Sequence, residues 1–266
     1  MHLNIAYLYI SKRNPFGSNI LIMKTTNNTI LITGGTSGIG LAFAEEFLKL
    51  GNKVIICGRR VERLNVLKIK HPDLITITCD IADANQREDL CNTVLKDYPD
   101  TNIVMNNAGI QLATDLTQPI NLGPIREEIE INLIAPIHLG SLFAKHLTTK
   151  NNSALINISS GLAFAPISFM PVYCATKAAL HSLTLSLRHQ LKNTPVKVFE
   201  IIPPSTDTEL GHQRRADKTQ SHGGIPLHEF LAEAMEAIKN DVLEAPIGQS
   251  KGLRAKREEM FHIMNP

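Results

Sequence analysis

Residues Thr29–Gly40 read TILITGGTSGIG: a short β-branched run, then glycines at 34, 35, 38 and 40, then a helical pattern over Ile39–Leu50. A strand that turns through glycines straight into a helix is the opening of a parallel βαβ unit. The same kind of apolar run recurs at Lys53–Cys57, Leu74–Cys79, Asn102–Met105, Ala154–Ile158 and Val196–Ile202. Such near-continuous apolar runs suit strands buried on both faces. Helical patterns fill the intervals at Val61–Lys70, Ala84–Leu95, Ile125–Leu147 and Val172–Lys192. Six strands alternating with five helices predict an α/β fold, a single doubly wound parallel sheet of the Rossmann type with right-handed crossovers. Ligands of such sheets lie at the carboxyl ends of the strands, so the residues that follow each strand carry the functional reading.

The composition sets limits on that reading. In 266 residues, 43% are hydrophobic and 20% charged, as in a folded globular protein rather than a disordered or fibrous one. Twenty-seven basic against 25 acidic residues leave a net charge of +2, which does not point to nucleic acid. Cys57, Cys79, Cys91 and Cys174 form no CxxC pair, so reduced thiols and a cytoplasmic location are expected. No run reaches the about 18 apolar residues of a membrane span. Residues 1–22 stand apart: an apolar start precedes Lys12 and Arg13, the reverse of a signal peptide's order. A loose extension is expected there, with residues 23–266 as the domain; an additional strand over Asn4–Tyr9 is the alternative.

The turn Thr33–Gly40 has the spacing GxxxGxG. Gly34, Thr36, Ser37, Gly38, Ile39 and Gly40 would bring backbone close to a pyrophosphate, with the helix N-terminus attracting the anion. After the second strand, where an acidic residue would meet an NAD ribose, the chain has Gly58-Arg59-Arg60. A guanidinium at Arg59 matches a 2′-phosphate and predicts NADP(H) over NAD(H); Arg60 reads as a solvated helix-start residue. Asp80 and Ile81 follow the third strand, placed to hold an adenine. Asn107, Ala108 and Gly109 follow the fourth and let the chain pass close to a ribose.

The fifth strand ends at Ser159-Ser160, and Tyr173 opens a helix with Lys177 at i+4, on the same face. A phenol titrates near 10, and a neighbouring ammonium brings it toward neutral pH, where it can act as acid or base. Asn132 lies in the long helix from Ile125, four residues before Pro136, which has no N–H to donate back to it. A kink and a freed carbonyl, a plausible water holder, are expected there.

Together these residues resemble the short-chain dehydrogenase/reductase family: Thr-Gly-x-x-x-Gly-x-Gly at 33–40, Asn-Asn-Ala-Gly at 106–109, Tyr-x-x-x-Lys at 173–177, Ser160 and Asn132. The likeness runs from Thr29 to Thr208. It implies a catalytic tetrad of Ser160, Tyr173, Lys177 and Asn132: Ser160 holds the substrate carbonyl and Tyr173 passes the proton. Lys177 lowers the tyrosine pKa and binds the nicotinamide ribose, and Asn132 supports a water relay. Pro203 and Thr208 would meet the nicotinamide, although Pro204 replaces the family's usual glycine. The strings SSGLAFAP, PVYCATKAAL and EIIPPSTDTEL resemble a branch of the family linked by name to D-alanylation of teichoic acids, which implies a bacterial source. The resemblance also implies a homodimer or homotetramer built on the two long helices.

A mobile substrate lid is expected near 207–240, with Arg214 and Arg215 solvated and with Leu227–Val242 an amphipathic helix beneath it. His212 and His222 lack ligand partners, so no metal is expected. Leu162, Phe164, Ile167 and Phe169 predict a fairly apolar pocket, and the tail from Lys251 is expected to pack on a neighbouring element or subunit. The functional expectation is an NADP(H)-dependent oxidoreductase acting on a small-molecule carbonyl or secondary alcohol, with no nucleic-acid or membrane partner. A cofactor-binding regulator without turnover and a nucleotide-sugar epimerase or dehydratase are the alternatives.

Overall fold

A computed structural model describes residues 22–210 and 223–266. Seven parallel strands form one sheet in the order β3-β2-β1-β4-β5-β6-β7. They are β1 (Thr29–Thr33), β2 (Lys53–Gly58), β3 (Ile75–Thr78), β4 (Thr101–Asn106), β5 (Ser153–Ile158), β6 (Val196–Ile202) and β7 (Glu244–Pro246). The order reverses between β1 and β4, which opens a crevice at their carboxyl ends. The seventh strand was not expected; it is three residues long and contains Pro246, which an edge strand tolerates.

The alternation within each strand explains the two layers of helix. Ile30 and Ile32 of β1 face α1 (Gly38–Lys49), α2 (Val61–Lys70) and α7 (Leu227–Lys239), through Phe43, Phe47, Leu64, Phe230 and Ile238. Leu31 faces the other way, toward α3 (Ala84–Asp97) and α5 (Ala135–Leu147), through Leu90, Val94, Leu139 and Phe143. The sheet is therefore covered on both sides, as its apolar runs require. Because α7 buries Phe230, Ala234 and Ile238, the end of the expected lid at 207–240 belongs to the core. Its middle, with His212, Arg214, Arg215 and His222, lies outside the described residues, as do Asn4–Tyr9.

The long helix expected over Ile125–Leu147 is α4 (Leu122–Ile129), a π-helical turn (Glu130–Ile134) and α5 in unbroken succession. The Ala135 N–H donates to the Glu130 carbonyl, five residues back, just before Pro136. The irregularity expected from the proline is thus a widened turn, and it carries Asn132. After α6 (Pro171–Gln190) and α7, the tail forms α8 (Ser250–Lys256), a 3₁₀ turn and α9 (Phe261–Met264). It folds back on its own chain: Asn265 donates to the Pro166 carbonyl at 3.0 Å and accepts from the Ser168 N–H.

Candidate active site

The crevice between β1 and β4 begins with a threonine. Thr33 Oγ accepts the N–H groups of Asn107 at 3.0 Å and Ala108 at 3.1 Å, and Asn107 Nδ2 donates to the Thr33 carbonyl at 2.9 Å. This ties the glycine turn to the chain after β4. At Gly34, φ is +66°, and a Cβ there would stand 2.8 Å from Ala108 Cα; only glycine permits this approach. Helix α1 starts at Gly38 with Ser37 at its N-cap, yet the Ser37 hydroxyl makes no cap hydrogen bond. It accepts instead from Arg60 Nη2 at 2.8 Å, as does the Thr36 hydroxyl. The first N–H groups of α1 therefore face outward without a side-chain cap, as an anion site requires.

Arg60 stands at the start of α2, as expected, with its side chain part-exposed; it also fastens the glycine turn, and its other arm meets Glu209 at 3.3 Å. Arg59 stands beside Glu127 at 2.9 Å and Asp80 at 4.0 Å. The Asp80 carboxylate also accepts the Ala82 N–H at 3.0 Å, and Ile81 is buried, its carbonyl taken by the buried Arg87. Asp80 and Ile81 therefore lie on the β2–β3 side of the crevice with Arg59.

On the other side of β4, α6 carries the tyrosine and lysine singled out from sequence. Tyr173 and Lys177 are both buried, with the ammonium 5.7 Å from the phenol ring centroid. Lys177 Nζ donates to the Ile158 carbonyl at the end of β5, at 2.9 Å. Burial pulls its pKa from 10.5 down to about 8, against the opposing charges of Glu200 and Glu128. Asn132 is held by three bonds: its Oδ1 accepts the Ile110 N–H at 2.9 Å, and its Nδ2 donates to the Ile110 carbonyl at 2.8 Å and to Thr176 Oγ at 3.2 Å. Gly109 fits between these groups; a Cβ there would lie 3.3 Å from Asn132 Oδ1 and 3.7 Å from Lys177 Nζ. Ser160 follows β5 and caps a 3₁₀ turn, its hydroxyl accepting the Leu162 N–H at 3.1 Å. The Pro203 carbonyl accepts the Gly161 N–H at 2.9 Å, and Thr208 packs 3.3 Å from a Cβ built on Gly38. The described residues expected to meet cofactor or substrate therefore border the carboxyl edge of the sheet, with Asn132, Tyr173 and Lys177 in one buried group.

Several expectations change in detail. Phe164 is core, not pocket: it packs edge-on to His181 at 4.7 Å, with Arg254 at 4.9 Å on its ring. Ile167 joins Met170, Tyr173, Cys174, Leu162 and Met264 in a small cluster, while Phe169 is exposed. Sequence reasoning missed two carboxyls. Glu128 is fully buried; one oxygen accepts the Leu112 N–H at 2.9 Å, the other has no partner, and burial raises its pKa. Glu200 is also fully buried, and its Oε2 lies 2.7 Å from His181 Nδ1. The signal for Glu200 was a lone acid in the apolar run VFEII; for His181 it was the i+4 spacing from Lys177. His181, Glu200 and Glu244 stand close enough to share a metal ion. Arg254 Nε already meets Glu244 at 2.6 Å, which supplies the positive charge from the protein itself.

The sequence profile of the short chain dehydrogenase family matches residues 28–219. The chain belongs to this family. Over 248 residues, this short-chain dehydrogenase is 45% identical to the uncharacterized oxidoreductase DltE of Bacillus subtilis, covering 91% of the chain and 98% of the relative. Its fold matches a short-chain dehydrogenase from Sphingobium yanoikuyae in complex with NADPH, with a TM-score of 0.74 and 26% identity over 82% of this chain and 86% of that one. It also matches the fold of one from Burkholderia phymatum in complex with NAD, with a TM-score of 0.77 and 20% identity over 92% and 98%. This short-chain dehydrogenase is accordingly an oxidoreductase, with bacterial relatives. Among the described residues no helix is long and apolar enough to cross a membrane.

Proposed function

We propose that this short-chain dehydrogenase is an NADP(H)-dependent oxidoreductase acting on a small-molecule carbonyl or secondary alcohol, with Tyr173 as the general acid and base. The observation that carries this reading is the burial of Lys177 beside Tyr173 at the carboxyl edge of the sheet. Below pH about 8 Lys177 is an ammonium, and an ammonium at this position favours the phenolate and brings Tyr173 toward neutral pH. Ser160 would hold the substrate oxygen, and Asn132, fixed by Ile110 and Thr176, would keep the widened turn in place for a water relay. The nicotinamide, when bound, supplies or accepts the hydride.

The residues present fit such a cofactor. The uncapped N-terminus of α1 and the close turn at Gly34 suit a pyrophosphate. Arg59, at the end of β2, suits a 2′-phosphate, for which it would exchange its contacts with Glu127 and Asp80. Asp80 and Ile81 would border the adenine, Asn107 to Gly109 the ribose, and Pro203 and Thr208 the nicotinamide. A homodimer or homotetramer finds support in Ile129, Ile134 and Ile137 on the helical rod and Leu185 on α6, all exposed. A cytoplasmic site of action fits four buried, unpaired cysteines.

A binding titration with NADPH and with NADH, repeated on Arg59→Ala, tests the cofactor reading. Tight NADPH binding that weakens at least tenfold in the variant, with NADH binding little changed, is the expected result. Equal or tighter binding of NADH by the wild-type protein would overturn it.

A further inference from the structure

On α6, Tyr173, Lys177 and His181 stand at i, i+4 and i+8, so the pair of the proposed mechanism continues along one helix face into a third polar residue. That face lies over a row of polar side chains crossing the sheet. Asn106, Asn157, Glu200 and Glu244 are register partners on β4, β5, β6 and β7, and so share a face. Asn106 donates to Asn157 at 2.9 Å, and Asn157 donates to Thr184 of α6 at 2.9 Å. Glu200 lies 2.7 Å from His181, and Glu244 meets Arg254. Lys177 reaches the same strands by its bond to Ile158, whose register partner Ile201 follows Glu200.

A carboxyl with no exposed surface in the third strand of such a row needs a counter-charge. Glu200 has His181 on one oxygen and no hydrogen-bond partner on the other. We propose that Glu200, held by His181, is a positioning residue for the Tyr173–Lys177 pair: its buried carboxylate is the counter-charge that keeps Lys177 protonated. The inference rests on the reading of Lys177 as the partner of Tyr173.

The surrounding charges favour Glu200 for this role. The charges of Glu200 on β6 and Glu128 on α4 act on Lys177, and Tyr173 lies beside it on its own helix. Burial raises the Glu128 pKa and so weakens it as an anion. The charge of Glu200 acts on Lys177 more strongly than that of Glu128. Glu244 of β7 is neutralised by Arg254 of α8, and Arg257 stands on the ring of Phe164. His181 Nδ1 lies 2.7 Å from Glu200 Oε2 and fixes the carboxyl in place.

The test reads Lys177 directly and needs no turnover. Protein labelled with carbon-13 at the lysine side chains is titrated by NMR, and Lys177→Met assigns the signal. The wild-type midpoint is expected near 8. Glu200→Gln, which removes the charge and keeps the shape, is expected to lower it by about one unit, so that well below the midpoint the neutral fraction rises about tenfold. Glu200→Asp is expected to restore the wild-type midpoint. His181→Leu, which leaves the carboxyl without its hydrogen-bond partner, is expected to lower it as Glu200→Gln does. A folded Glu200→Gln or His181→Leu protein with the wild-type midpoint overturns the proposal, as does a folded Glu200→Asp that behaves like Glu200→Gln. A protein in which these shifts occur but Tyr173→Phe retains turnover would keep this inference and refute the role of Tyr173.

Discussion

Replacing Lys177 with methionine is expected to stabilise the protein while removing its chemistry. In the unfolded chain a lysine titrates near 10.5, and in the fold Lys177 titrates at about 8. A lowered ammonium pKa means that the folded state holds the proton less tightly than the unfolded state does. The whole penalty is therefore present below pH 8, where both states are charged, and is relieved as the pH rises from 8 to 10.5. Some 2.5 units at 1.36 kcal/mol each amount to about 3 kcal/mol. The opposing charges of Glu200 and Glu128 are already contained in that shift. Methionine also forfeits the bond to the Ile158 carbonyl, about 1 kcal/mol, which leaves a net gain of about 2 kcal/mol at pH 7. Urea unfolding followed by circular dichroism at pH 7 and at pH 10 measures it. The variant should be the more stable at pH 7, and the gap should close toward pH 10. A variant less stable than wild type at pH 7, or a gap independent of pH, would refute the reasoning. The lysine would then contribute packing, and its burial would carry no strain.

Two further outcomes follow from the same geometry. Tyr173→Phe should lower turnover at least a hundredfold, the scale of a lost general acid, and leave NADPH binding within about twofold; steady-state rates and a cofactor titration separate the two effects. Asn132→Ala should cost about 2–4 kcal/mol, because both backbone groups of Ile110 and the Thr176 hydroxyl lose a partner in the interior. A shift in the urea midpoint checks this, and an unchanged midpoint would mean that water replaces the amide.

Much of the architecture was legible because each strand and helix announces itself locally. The expectation for β6 over Val196–Ile202 and for α2 over Val61–Lys70 agrees with the structure residue for residue. The short β7 had no apolar run to reveal it and exists through its pairing with β6. The family resemblance grouped Tyr173, Lys177 and Asn132, and the structure brings them together around Gly109. The polar row was not: Asn106, Asn157 and Glu200 each sit alone in an apolar stretch, and only strand register makes them neighbours. Phe164 was misplaced for a similar reason. An aromatic residue between serine and tyrosine reads as pocket lining until the tail, more than eighty residues later, brings Arg254 onto it.

That tail gives the molecule a remote handle. Met264 packs in the cluster that contains Tyr173, and Asn265 pins the backbone at Pro166 and Ser168. The loop between Ser160 and Tyr173 is therefore shaped from about a hundred positions downstream. Libraries that vary Met264 and Asn265 would retune the mouth of the site while leaving each reacting group in place.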